Sequence, residues 1–287
     1  QVDGLTEGFP VDGTAELSAA DLTRFASVAG RPLSGAAALG LTGNGTPLSG
    51  AFDITLNAET QDLETGEALL DPILRGASTL DLAARRDETG AYIEALTLQN
   101  AAVDADLSGQ LNGDAGAITL SGTLSDLSLV EPKLSGPAQV DTDVTWQSNG
   151  ALDIKRLTLT ALDADIEANG TLNTGDDSLP AEGTLSLDAQ DISRLAALAG
   201  RPLAGAVDLD VTGRGSLRDL TVDGTIALLA SGLSTGIAQV DSITGGDVDL
   251  DATLAYGDGV PFLEQLSLVT QNLTASANAA TPEAPIS

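Results

Sequence analysis

Residues 205–213 read Gly-Ala-Val-Asp-Leu-Asp-Val-Thr-Gly, and this stretch decides the fold. Its apolar residues, Val207, Leu209 and Val211, alternate with aspartate and threonine. Because successive side chains of a strand point to opposite faces, the alternation predicts a β-strand with one apolar face and one solvated face.

The same alternation recurs along the chain, at residues 51–57, 117–121 and 247–251. Asn-Gly and Asp-Gly pairs lie between the alternating stretches, and such pairs are typical of hairpin turns because they tolerate positive φ. The pairs lie at 44–45, 112–113, 149–150, 169–170 and 223–224. Strands and turns at such short, regular spacing predict antiparallel meanders and not βαβ units.

Two short helices are predicted to interrupt the strands, at residues 18–30 and 189–200, where apolar residues fall at helical spacing. Ser18 or Asp21 can cap the first helix, Gly30 can end it, and Pro32 prevents its return. The predicted fold class is therefore all-β with two short interrupting helices.

The chain contains an internal repeat. Residues 21–35 and 191–205 are identical at nine of fifteen positions, and the offset that takes Asp21 to Asp191 is called the repeat offset below. A smaller echo aligns residues 93–111 with 154–172 through the pattern apolar-x-x-Leu-Thr-Leu. We predict that residues 1–15 end a preceding repeat, that residues 16–185 form a β-repeat module opening with a short helix, and that residues 186–287 form a truncated second copy.

Composition excludes several classes of function. The 287 residues include no Cys and no His, which rules out disulfides, thiolate catalysis, Cys/His zinc sites and histidine acid–base chemistry. The net charge of -30 repels both nucleic-acid phosphates and anionic lipid headgroups, and it argues against binding to nucleic acid. Aromatic residues are only 2%, so the apolar positions are aliphatic. No apolar run approaches the ~20 residues of a membrane-spanning helix.

Clustered charges do not indicate a catalytic site. Asp208-x-Asp210 and the aspartates at 247, 249 and 251 resemble oxygen ligands for calcium, but period two spreads them along the outer face of a strand. We therefore predict no catalytic, cofactor-binding or metal site. The pair Arg85-Arg86 is interpreted as solvated charge that discourages edge pairing.

The helices with their trailing residues 29–35 and 199–205, and the strands at 96–98, 157–159 and 266–268 with their Gly-x-Leu returns, resemble the TamB family and, more broadly, the AsmA-like proteins of Gram-negative bacteria. The resemblance implies a long, curled, taco-like antiparallel sheet with an apolar groove, and no enzymatic activity. It implies a periplasmic segment of an inner-membrane-anchored protein. Its partners would be phospholipid acyl chains, moved between membranes, and an outer-membrane barrel of the TamA type in protein assembly and secretion.

Aliphatic side chains on the apolar faces of the strands are the expected lining of this groove. They are Ile54, Leu56, Leu96, Leu98, Ile118, Leu120, Leu157, Leu159, Val207, Leu209, Val211, Leu266 and Leu268. Each lipid methylene that they shelter from water is worth ~0.8 kcal/mol. A groove wall without polar anchoring groups favours sliding of a lipid tail along the groove, and this property suits a conduit better than a receptor.

Two other interpretations remain open at this point. Two such sheets could pack on each other as a dry core, as in an adhesin-like β-solenoid or sandwich with a binding role on its outside. An enzyme of the pectate-lyase or glycosidase kind is the third interpretation. The missing histidine and scarce aromatic residues argue against it.

Overall fold

The computed structural model describes residues 9–257 and 260–278 and shows an all-β chain. Sixteen strands neighbour one another in an antiparallel sheet in the same order as in the sequence. The predicted fold class, an antiparallel sheet with short helical interruptions, is confirmed. The outermost parts of the predicted modules, residues 1–8 and 279–287, lie outside the described residues.

The strands are β1 (Val11–Ala19), β2 (Ser34–Thr46), β3 (Ala51–Glu64), β4 (Ala77–Asp87), β5 (Gly90–Asn100), β6 (Val103–Asn112), β7 (Ala115–Leu124), β8 (Ala138–Gln147), β9 (Ala151–Ala161), β10 (Ala164–Asn173), β11 (Pro180–Ala189), β12 (Ala204–Ser216), β13 (Thr221–Ser234), β14 (Val248–Gly257), β15 (Val260–Thr270) and β16 (Thr274–Asn278). The α-helices are α1 (Ala26–Ala29), α2 (Ala196–Ala199) and α3 (Ala238–Thr244). Single 3-10 turns lie at Leu22–Phe25, Leu127–Leu129 and Ile192–Leu195.

The chain divides into two compact units, Gln1–Thr145 and Trp146–Ser287. The first unit contains β1 to β7, the second contains β9 to β16, and β8 spans the division. The predicted modules divide elsewhere, at residues 185 and 186, and their boundaries stay a prediction.

The elements recur at the same two offsets as the sequence patterns. At the repeat offset, β2 maps onto β12, β3 onto β13 and β5 onto β15, each with the same bounds. At the offset of the smaller echo, which takes Ile93 to Ile154, β5 maps onto β9 and β6 onto β10. The unit of repetition is therefore a group of neighbouring strands, as in proteins that grow along one axis.

The repeated pattern apolar-x-x-Leu marks a β-bulge. On β5, Ile93 pairs with Ala84 and Ala95 pairs with Ala83, which leaves Glu94 as an extra residue. On β15, Glu264 is extra in the same way, and on β9 the residues Lys155 and Arg156 oppose a single residue of β10. Because a bulge inserts one residue, the apolar residues on both sides of the two-residue gap face the same way. Strict period two would place them on opposite faces.

The two predicted helices are present but short. Each consists of one 3-10 turn followed by one α-helical turn, with Asp21 or Asp191 as N-cap and Gly30 or Gly200 in the left-handed conformation at the end. The predicted number of two is too low, because Leu127–Leu129 and α3 are also helical. The start of α3 has no side-chain cap, so the residue type that signals a helix start is missing there.

Three of the five predicted turn pairs are wrong. The pairs at 112–113 and 149–150 do lie at turns, where Gly113 and Gly150 have φ of 45° and 88°. In contrast, the pairs at 44–45, 169–170 and 223–224 lie inside β2, β10 and β13. A short polar residue followed by glycine is favoured in a turn. The same pair also occurs inside a strand, where glycine lets a neighbouring strand approach closely.

A small core forms where a helical turn folds onto the sheet in the second unit. Ile192 packs with Ala164 and Ala189, surrounded by partly buried leucine and valine side chains. The backbone N–H of Ser193 donates to Asp191 at 2.9 Å and its hydroxyl donates at 2.8 Å. These hydrogen bonds, the backbone one foremost, hold the pKa of Asp191 below its ordinary value and fix the start of the turn.

We expect Ile192→Ala to destabilise the second unit by about 2–4 kcal/mol, because it removes a buried side chain and leaves a cavity. Ile192 is 9% exposed. The matched control is Leu198→Ala in the following helix, where the residue is 52% exposed and the expected change is within about 0.5 kcal/mol. Urea unfolding followed by circular dichroism measures both, and equal losses would contradict the role of Ile192.

We expect Asp191→Asn to lower stability at pH 6 while keeping an oxygen acceptor at the cap. A lowered folded-state pKa contributes stability above the unfolded value of about 3.9, and this contribution is lost as the pH falls through the folded-state pKa. The difference in urea midpoint between wild type and variant should therefore shrink between pH 6 and pH 3. The other carboxylates titrate in both proteins and cancel, so a difference independent of pH would contradict this.

Candidate functional site

Cross-strand register aligns leucines in one unbroken row across the first unit. Direct partners on successive strands share a face of the sheet, and each pair of neighbours in the row consists of such partners. This first leucine row is Leu41, Leu56, Leu82, Leu96, Leu107 and Leu120, on β2 to β7.

The second unit carries an equivalent row over seven strands, β9 to β15. This second leucine row is Leu159, Ile166, Leu187, Leu209, Leu228, Leu250 and Leu268. A parallel row beside it contains Leu157, Val211 and Leu266. The face formed by these rows in each unit is called the aliphatic face below.

The structure places all thirteen predicted groove residues on the aliphatic face of their own unit. Leu56, Leu96 and Leu120 share the first leucine row, and Ile54 and Ile118 share the row beside it. Twelve of the thirteen are half-buried, and Ile118 is 37% exposed. Whether these residues contact lipid stays a prediction.

The aliphatic face is not sealed into a conventional core. Among the described residues, no large side chain is fully buried, and the buried hydrophobic residues are mostly alanines. A second sheet packed on the leucine rows would bury these side chains completely. The rows therefore offer apolar surface that remains accessible.

About half of the residues in the two leucine rows are not among the predicted groove residues. The omitted members are Leu41, Leu82, Leu107, Ile166, Leu187, Leu228 and Leu250. The local signal was present, for example in Leu80-Asp81-Leu82, whose alternation matches that of residues 205–213. Only the pairing of strands shows that these positions stand side by side.

The opposite face is polar and charged. Thr97 donates to Asp106 at 2.7 Å, Asn57 donates to Asp81, and each pair joins neighbouring strands. The aspartates considered for calcium are exposed here. Within the described part of the chain, no group of three or more acidic side chains is arranged to hold a metal ion. This face is built to be solvated.

Four glycines interrupt the aliphatic face of the second unit. Gly170, Gly183, Gly213 and Gly224 are direct partners across β10 to β13, and we call them the glycine row. A Cβ added to Gly183 would lie 2.5 Å from the carbonyl oxygen of Asn169, so neighbouring strands approach too closely for a side chain. These glycines and the residues flanking them line a concavity of about 720 Å³.

The first unit has a shorter row of glycines at the equivalent positions. Gly13 and Gly43, which the repeat offset takes to Gly183 and Gly213, are partners on β1 and β2. The apolar side chains around them include Val11, Leu41, Phe52 and Ile54. They line a concavity of about 470 Å³, which we call the apolar concavity.

The interpretation of Arg85-Arg86 as edge charge is wrong, because β4 is paired on both sides. Arg85 Nε donates to Glu94 at 2.7 Å, and the guanidinium also pairs with Asp87 and lies 3.7 Å from the ring centroid of Tyr92. The hydrogen bond to Glu94 is the main cause that raises the pKa of Arg85. Arg86 lies on the other side of β4, opposite Phe52.

No family model, curated protein or solved structure matches this chain. The resemblance to the TamB family therefore stays a prediction from the sequence. Of the helices formed by residues 9–257 and 260–278, none has the length and apolarity needed to cross a bilayer.

We expect Gly183→Ala to destabilise the second unit by about 1–3 kcal/mol through overpacking, because the new methyl group would collide with the backbone at Asn169. The matched control is Gly213→Ala in the same row, where the nearest atom would be 3.8 Å away. There alanine should be neutral or stabilising by up to about 1 kcal/mol, since it restricts the unfolded chain. Urea midpoints measure both variants. A reversed order would show that the close approach does not exist in solution.

Proposed function

We propose that this chain is a segment of a TamB/AsmA-like envelope protein whose aliphatic faces shield lipid acyl chains during phospholipid transport between membranes. The observation that carries the proposal is the pair of unbroken leucine rows, which remain only half-buried. Apolar surface that stays partly accessible is costly in water, and such a surface is typical of proteins that bind an apolar partner.

The dimensions of the rows suit an acyl chain. Neighbouring strands lie about 4.8 Å apart, so the six strands of the first leucine row span roughly 24 Å. One leaflet of a bilayer has a hydrocarbon depth of roughly 15 Å, half of the whole core. A lipid tail with the length that it has in a bilayer can therefore lie along the row within a single unit.

The chemistry of the rows suits movement better than fixed binding. Equivalent leucines repeat at every strand, so a tail displaced by one strand spacing meets nearly the same surface. Aliphatic contacts are non-directional, and they supply affinity in proportion to buried area without fixing a register. A tail can thus slide with small barriers while remaining shielded from water.

The outer face and the net charge fit an aqueous compartment. The face opposite the leucine rows carries aspartate, threonine and asparagine, and the chain has a net charge of -30. A solvated outer face opposite an apolar face is what a conduit through the periplasm requires. Periplasmic location, an inner-membrane anchor and assembly of outer-membrane proteins with a barrel of the TamA type belong to the same proposal and rest on the sequence resemblance.

The adhesin-like alternative has less support. A dry core needs a second layer that buries the leucines, and the described residues bury mostly alanines. On this alternative, an added sheet from another chain would have to cover the leucine rows.

We expect a photoreactive amino acid at Leu209 to crosslink to phospholipid in membrane-containing extracts. Leu209 lies half-buried in the second leucine row, whereas its neighbour Asp208 is exposed and points to the outer face. The same photoreactive residue at Asp208 is therefore the matched control. Mass spectrometry of the crosslinked products identifies the lipid.

Leu209→Asp supplies the complementary measurement. A carboxylate in the middle of the row should strongly reduce the phospholipid that co-purifies with the chain, because a charge beside a tail is poorly solvated. Crosslinks from position 208 alone, or equal lipid content in wild type and Leu209→Asp, would contradict the proposed function.

A further inference from the structure

One arginine stands at the end of the aliphatic face in the first unit. Along β4, Leu80, Leu82, Ala84 and Arg86 alternate with residues of the outer face. Arg86 is paired directly with Phe52 on β3 and with Ala91 on β5. A cation therefore ends a line of apolar side chains, close to the turns.

Arg86 makes no direct hydrogen bond or ion pair within the described part of the chain. Arg85, its neighbour, is satisfied by Glu94, Asp87 and the ring of Tyr92 on the outer face. Arg86, in contrast, is exposed. Its five N–H donors are available to a ligand.

Arg86 also borders a space that continues into apolar surface. A concavity of about 430 Å³ is lined by Arg86 together with Val11, Gly45 and Phe52. The last three residues also line the apolar concavity, which reaches Leu41 of the first leucine row. A cation and a route onto the leucine row thus lie next to each other within one unit.

We propose that Arg86 binds the phosphodiester headgroup of an anionic diacyl lipid whose tails enter the apolar concavity and the first leucine row. The inference rests on the proposed function and names the ligand class for the first unit. The planar guanidinium presents parallel N–H donors that match two phosphate oxygens. Phe52 and Val11 cover the first methylenes below the headgroup.

Nearby carboxylates restrict the charge of the ligand. Asp12, Asp53 and Asp87 line the same concavity as Arg86, and Arg85, which is already paired with Glu94 and Asp87, lines it as well. Like charges in proximity oppose a dianionic phosphomonoester more strongly than a monoanionic phosphodiester. The overall charge of -30 acts over longer range and is screened beyond about 8 Å at physiological salt. Local contact with Arg86 therefore decides binding.

The second copy has a different residue at this position. The repeat offset takes Arg86 to Tyr256 and Phe52 to Val222, which is the direct partner of Tyr256. A phenol cannot neutralise a phosphate. The headgroup anchor therefore belongs to the first unit, where a lipid would be selected, and the second unit presents Tyr256 and Val222 at the equivalent place.

Equilibrium dialysis of the full chain with two short-tailed lipids, each below its micelle concentration, tests the inference. Dioctanoyl phosphatidylglycerol carries one negative charge, and dioctanoylglycerol has the same tails without charge. The wild type should prefer the anionic lipid by about fivefold, the range of an exposed charge pair. Arg86→Gln should abolish this preference without changing affinity for the neutral lipid. Arg75→Gln removes the same charge from an exposed connection and should retain the preference.

Each contrary result has a distinct meaning. If Arg86→Gln keeps the full preference, or if Arg75→Gln loses as much of it, the anchor is overturned and the proposed function stands. If neither lipid binds the wild type, the proposed function fails together with the anchor. Glycerophosphoglycerol, the headgroup without tails, should not bind measurably; binding equal to that of the whole lipid would overturn the joint role of cation and apolar concavity.

Discussion

The structure depends on the register between neighbouring antiparallel strands. Side chains alternate with period two, so a slip of one residue on any strand would move its leucine from one face to the other. The rows remain unbroken over six strands in one unit and seven in the other because every pairing keeps the same phase. The recurring bulges serve this phase, since they return two apolar residues to one face where simple alternation would separate them.

This constraint determines how the protein is stabilised. A sheet with a half-exposed apolar face has little deep core, and the buried hydrophobic residues of the described chain are mostly alanines, two of which pack against the helical turn at Ile192. Stability must then come from backbone pairing, cross-strand side-chain contacts and the contacts between successive repeats. Helical turns such as Ile192–Leu195 close the strand ends, and aspartate caps hold them in place.

The departures from the aliphatic pattern carry the specific features of each unit. The glycine row removes side chains where strands approach closely in the second unit. Arg86 places a cation at the end of the face in the first unit, and Tyr256 takes the equivalent place in the second. Two copies that share the bounds of three strands have thus acquired different surfaces, one with an arginine at its end and one with a longer line of glycines.

The sequence by itself determined the strand class, the capped helical turns and the repeat, because alternation, N-cap residues and self-similarity are local properties. Residues 205–213 show their two faces without any knowledge of a partner strand. Tertiary structure alone decided which apolar residues stand in one row, because pairing joins positions far apart in the chain. It also decided that Gly170 and Gly224 lie inside strands, since an Asn-Gly or Asp-Gly pair looks the same in a turn and at a close strand contact. Alternation along β4 already puts Arg85 and Arg86 on opposite faces. Only the tertiary structure shows that Arg85 is neutralised by Glu94 and that Arg86 stands opposite Phe52.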